Sequence, residues 1–235
     1  MPIAAASTGP NTERRRPRQL AFALDHSESF AREDFLSGPS NEAALALIER
    51  WPDWPNRMML LIGPEGSGKS HLAAIWAQAS GARFVAARAL ESAGLPAVLT
   101  TGALVVEDLA EGRFDERALF HLANLVREEN AFVLATARTA PAGWSIAVPD
   151  LASRLRALPL VTLATPDDAL LRAVIVKLFA DRQLAVEESL VVYLTNRIER
   201  SFAAARAAVD ALDREALRQQ RPVTRALAAE LFREP

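Results

Sequence analysis

The stretch that most limits what this chain can become is GPEGSGKS, residues 63–70, which follows the apolar run MMLLI and opens the helical pattern KSHLAAIWAQAS. It satisfies G-x-x-x-x-G-K-[ST], a pattern that arises by chance in roughly one chain in a hundred of this length. Here the lysine is one of only two in 235 residues, Lys69 and Lys177, against a large excess of arginine. Gly63, Gly66 and Gly68 let the backbone curl so that successive N–H groups point inward, and a helix beginning at Lys69 adds the positive end of its dipole. The loop Gly63, Pro64, Glu65, Gly66, Ser67, Gly68, Lys69 and Ser70, with His71 beside it, therefore reads as a cradle for phosphates, the alternative being a plain glycine turn between strand and helix. Lys69 suits the β and γ phosphates and the Ser70 hydroxyl suits Mg²⁺, so ATP or ADP with Mg²⁺ is the expected cofactor.

The rest of the chain supplies the sheet such a loop needs. MMLLIG (58–63), ARFVAA (82–87), ALVVED (103–108), AFVLAT (131–136) and LPLVTL (158–163) are short apolar runs, most of them separated by helical patterns such as DERALFHLANLVREEN. Nearly continuous apolar strands alternating with helices define an α/β fold, a P-loop parallel sheet flanked by helices. Ahead of it a helix is expected from an N-cap at Ser40 to Trp51, where Pro52 stops it. Beyond Thr165 the strands cease. A helix from Pro166 to Asp181, then VEESLVVYLTNR and ERSFAAARAAVDALDREALRQQ, predict a small all-helical domain over residues 165–235, after a core over residues 25–164. Residues 1–18, rich in Ala, Ser, Thr, Pro and Arg without periodicity, are expected to be disordered.

Composition narrows the class. Half of the residues are apolar, enough for a sizeable core. No apolar run approaches eighteen residues, and the N-terminal stretch places its charges after a weak apolar patch, so no membrane span or secretory signal is expected and the protein reads as cytoplasmic. The lack of Cys removes disulfides, thiolate catalysis and Cys-based zinc sites, and His26, His71 and His121 are too scattered for a metal cluster. A formal charge of −2 gives no global electropositive field, so direct sequence-specific DNA binding is not expected.

A phosphate loop needs an acid at the end of a neighbouring strand. ALVVED ends in Glu107 and Asp108, with Glu107 at the metal-side position beside Ser70; acids there also simply cap strands. Thr136 ends the next strand, where a polar group can face the γ phosphate or attacking water, and Arg138 follows two residues on.

In this order of parts the chain resembles the AAA+ ATPases, and within them the DnaA/Hda family, over residues 19–235. SESFAREDFLSGPSNEAALAL is similar to the segment that packs around the adenine in that family, which implies Phe35, Leu36 and Gly38 near the base. PDLASRLRALPLVTLATPDDALL resembles its arginine-finger segment, last core strand and lid start, which implies that Arg154 is the finger, although an Arg on a helix is usually just solvated. The family's lid also carries an arginine, sensor II, that contacts the nucleotide in cis. RIERSFA puts Ala203 there, with Arg200 and Arg206 three residues to either side as candidate substitutes.

One segment lies outside the core pattern. QLAFAL, residues 19–24, alternates Leu20, Phe22 and Leu24 behind Gln19 and follows RRRPR; it is either a short half-buried strand or a peptide ligand for another protein. The family resemblance implies the second, a peptide for the DNA polymerase sliding clamp, and with DnaA's DNA-binding domain not found after the lid it implies a regulator of replication initiation that stimulates hydrolysis of ATP held by DnaA. Glu107 in place of the usual Asp predicts slow hydrolysis by the chain alone. Two other readings stay open: a DNA-directed ATPase of helicase-loader type, and a nucleotide-binding scaffold without hydrolysis. Assembly with itself is left open.

Overall fold

The computed structural model describes residues 30–232. Its centre is a five-stranded sheet in the order β2-β3-β4-β1-β5, with β1 Met58–Ile62, β2 Arg83–Ala86, β3 Ala103–Leu109, β4 Phe132–Ala137 and β5 Leu160–Thr162. Every pairing is parallel, as continuous apolar strands separated by helices require. β1, β3 and β4 fill the middle, and five consecutive residues of β1 are buried.

Alternation along the strands divides the core into two layers. Met58, Leu60, Ile62, Leu104, Val106, Val133 and Ala135 pack with α4 Glu116–Glu128 and α5 Pro149–Ala157. Met59, Leu61, Val105 and Leu134 pack with α1 Glu42–Glu49 and α2 Lys69–Ser80, around Trp54 stacked on Trp76 at 5.0 Å. A short α3, Leu95–Val98, closes the edge near β2, and its Leu95 is buried in the first layer. β1 runs between the two layers into the phosphate loop, so the loop emerges from a strand buried along its whole length.

After β5 the chain forms α6 Asp168–Asp181, α7 Glu188–Arg197, α8 Phe202–Gln219 and α9 Arg225–Leu231. These share a separate core that includes Leu171, Ile175, Phe179, Leu194, Val209 and Leu227. Phe179 is fully buried there, and Phe179→Ala is expected to cost about 3–5 kcal/mol through the cavity it leaves. Chemical denaturation measures this; a loss below about 1 kcal/mol would mean that the helices repack around the gap.

Helix starts differ from the sequence expectation in an instructive way. α1 begins after Asn41, not Ser40, and Asn41 does not cap it. Its side chain instead accepts the Gly38 N–H at 2.8 Å and donates to the Leu36 carbonyl at 3.0 Å, pinning the preceding loop. α6 begins at Asp168, because Asp167 accepts the Leu170 N–H and caps it. Among the described residues no helix is long and apolar enough to cross a membrane.

Candidate functional site

The phosphate loop is built by the close approach of three elements. A Cβ on Gly63 would lie 2.6 Å from the Leu163 carbonyl oxygen and 2.8 Å from the Ser67 hydroxyl, so the loop and the end of β5 can meet only over a hydrogen. Gly66 adopts φ 71°, and a Cβ there would come within 2.9 Å of the Ala203 Cβ. α2 follows directly, and Gly68 caps it with no side-chain hydrogen bond, so the first-turn N–H groups are left without a cap. The buried Ser67 hydroxyl has no partner. Uncapped amides and the positive end of the helix dipole meet at the start of α2, which is the donor set an anion needs, and the unpartnered Ser67 hydroxyl lies in the same loop beside Gly63.

Lys69 is almost fully buried, and its Nζ donates to the Gly63 carbonyl at 2.8 Å and the Pro64 carbonyl at 2.7 Å. Burial lowers its pKa, Arg138 nearby lowers it further, and Asp108 and Glu65 partly oppose this. Of the two acids ending β3, Asp108 is therefore the one whose charge bears on Lys69. Glu107 lies opposite Ala86 of β2 and is half-buried, in the alternation of Ala103 and Val105 on the α2 side. Asp108 is exposed, sits at φ 56° where the β3–β4 register shifts, and its N–H is accepted by the Thr136 hydroxyl at 3.1 Å. Thr136 is buried and so ties the acid to β4. Among the described residues no group of three His, Cys, Asp or Glu could hold a metal ion alone. A magnesium ion here would need phosphate oxygens beside Ser70, which is exposed, and one of the acids, as Mg²⁺ usually does.

On the side expected to face a base, Phe35 is buried and meets His71 edge-on at 5.1 Å, and Phe30 does so at 5.3 Å. His71 also bonds the Ala31 carbonyl at 3.0 Å. Burial pushes its pKa below the ordinary imidazole value, so the ring is neutral at pH 7. Leu36 is half-buried, with its carbonyl held by Asn41. The lid closes over this region. The Phe202 N–H donates to the Gly66 carbonyl at 2.9 Å, and the Phe202 ring lies beside Gly68. Ala203 thus rests on the phosphate loop, with Arg200 turned away to pair with Asp168 at 3.0 Å and Arg206 close enough to act on the charge of His71.

Arg154 is on α5, which packs with α4 in the core layer opposite that of α2. Its Nη1 donates to Asn124 Oδ1 at 2.6 Å and its guanidinium covers the Phe120 ring at 4.7 Å, both on α4. Gln19, Leu20, Phe22 and Leu24 of the expected clamp peptide lie outside the described residues. Sequence reasoning missed the roles of Asn41, Phe202 and the Arg138–Glu65 pair. Only Asn41 carried a local signal, standing three residues after a glycine that needs a hydrogen-bond partner.

A five-stranded parallel sheet with flanking helices, a phosphate loop after β1 and a helical domain after the last strand define the AAA+ P-loop fold. Among solved structures, the chain is similar to domain III of the replication initiation protein DnaA of Thermotoga maritima, at 17% identity and a TM-score of 0.71, over 86% of this chain and 95% of that one. It is also similar to AMPPCP-bound DnaA from Aquifex aeolicus, at 17% identity and a TM-score of 0.61, over 81% and 69% of the two chains. The Thermotoga maritima RuvB Holliday junction branch migration motor matches at 16% identity and a TM-score of 0.69, over 87% and 71%. At these identities the likeness is one of fold. No family model matches the sequence, and no curated protein matches it.

Proposed function

We propose that this protein is an Hda-like regulator of replication initiation: it binds adenine nucleotide on residues 63–70, docks on the sliding clamp through residues 19–24, and offers Arg154 to ATP held by DnaA. The observation that carries the reading is the position of Arg154. Its guanidinium is held by Asn124 and Phe120 on α4, which packs in the core layer opposite that of α2, and this supports service to a partner's nucleotide. Support for nucleotide binding comes from the uncapped α2 amides, the unpartnered Ser67 hydroxyl and the similar fold of a DnaA that holds AMPPCP. A bound nucleotide would supply the phosphate charge that Lys69 neutralises and, with Mg²⁺, the electrophile for hydrolysis. Asp108, fixed to Thr136, is the acid best placed to orient water, and Glu107 stands beside it.

A scaffold that binds nucleotide without hydrolysing it is favoured by one feature, the small side chain of Ala203 against Gly66 where the lid would otherwise bring a cation. Single-turnover hydrolysis by the chain alone separates the two.

Docking on the clamp has its own test. Leu20→Ala with Phe22→Ala is expected to abolish binding to the clamp without lowering Tm, since each apolar side chain buried in a partner's pocket contributes roughly 1.5–3 kcal/mol. A Tm that falls by several degrees, with clamp binding weakened only in proportion, would instead make these residues part of the folded core.

A further inference from the structure

The exposed ion pair on the phosphate loop has no role in the reading above. Arg138 Nη2 meets Glu65 Oε2 at 2.8 Å, with 61% of the arginine side chain and 72% of the glutamate side chain exposed. Arg138 is fixed at its base, because the carbonyl of the preceding Ala137 accepts the Gly63 N–H at 3.2 Å. It therefore stands at the mouth of the loop whatever its tip does. We propose that Arg138 is the cis arginine of this site, exchanging Glu65 for a terminal phosphate oxygen and so making the loop distinguish a nucleoside triphosphate from a diphosphate. This rests on the nucleotide-binding reading.

Three observations lead there. First, Arg138 is the strongest charge acting on Lys69, ahead of Asp108 and Glu65. Two cations sharing one spot repel each other unless an anion lies between them, and Lys69 is the group that reaches the β and γ phosphates in such loops. Second, the lid residues that meet Gly66 and Gly68 are Ser201, Phe202 and Ala203, none of them a cation, while Arg200 is paired with Asp168 and Arg206 acts on His71. Third, the present partner is easily given up. An exposed carboxylate pair contributes little, whereas a guanidinium takes phosphate oxygens through two parallel charge-assisted bonds.

Equilibrium binding of ATP and of ADP, each with Mg²⁺, to the full chain and to Arg138→Gln, Glu65→Gln and Lys69→Ala tests this. Arg138→Gln is expected to weaken ATP about tenfold or more and ADP by less than about twofold, the loss of one charge-assisted contact to the terminal phosphate. Glu65→Gln, which frees the guanidinium, is expected to tighten ATP and not ADP. Equal losses for ATP and ADP in Arg138→Gln, or no loss for either, would overturn the proposal while Lys69→Ala, by losing both, kept the nucleotide reading intact. A parent protein that binds neither nucleotide would overturn both. Unchanged Tm in Arg138→Gln and Glu65→Gln separates these outcomes from unfolding, as expected for so exposed a pair.

Discussion

Lys69→Ala is expected to lose nucleotide binding by about a hundredfold or more while the fold survives, since a charge-assisted hydrogen bond to a charged group contributes about 1.5–3 kcal/mol and Lys69 is placed to make two. The structure explains both halves of this result. The ammonium is nearly buried and only partly balanced by Asp108 and Glu65, with Arg138 adding to its isolation, so its charge is expensive in the free protein and best used when phosphate arrives. Removing it strips partners from the Gly63 and Pro64 carbonyls, but Pro64 is exposed and water can replace the amine there. The stability lost is therefore about 1 kcal/mol, set by the inner carbonyl alone. Nucleotide titration together with thermal melting checks it. Unchanged affinity in a folded Lys69→Ala protein would remove the phosphate-loop reading, and collapse of the fold would make Lys69 a structural tie within the loop.

What could be read from the sequence was what one residue and its neighbours dictate. The strands are legible because burial on both faces demands apolar residues at every position, as in Met58 to Ile62 and Val133 to Ala135. The phosphate loop is legible because close approach leaves only glycine at Gly63 and Gly66. What escaped were relations between distant segments. Nothing local in SFAAA announces that the Phe202 N–H will reach the Gly66 carbonyl, because the partner lies 136 positions away and the small residues that allow the contact also suit any helix. Glu65 and Arg138 belong to the same category, ordinary surface charges until the sheet order places β4 beside β1 and brings their loops together. The relative standing of Glu107 and Asp108 was hidden for another reason. Adjacent residues on a regular strand face opposite ways, and only the register shift after Val106, with Asp108 at positive φ, decides how the second acid is presented.

The largest effect is expected at Arg154. If it serves ATP held by DnaA, Arg154→Ala should retain nucleotide and clamp binding yet lower the stimulated hydrolysis by about three to five orders of magnitude, the range for a finger supplied in trans. The mutation should be tolerated by the fold. It removes one hydrogen bond to Asn124 and one stacking contact with Phe120, each contributing about 1 kcal/mol at a half-buried surface position. Arg154→Lys separates charge from geometry. A lysine keeps the positive charge but has neither the planar fork that grips two phosphate oxygens nor the flat face that lies on Phe120, so it should recover little of the activity. The measurement is single-turnover hydrolysis of ATP loaded on DnaA, in the presence of clamp on DNA. Stimulation by Arg154→Ala equal to the parent's would exclude the finger assignment; a parent that fails to stimulate at all would exclude DnaA as the partner. If Lys matched Arg, a point charge at this position would suffice, and the staging of the guanidinium on α4 would have no catalytic consequence.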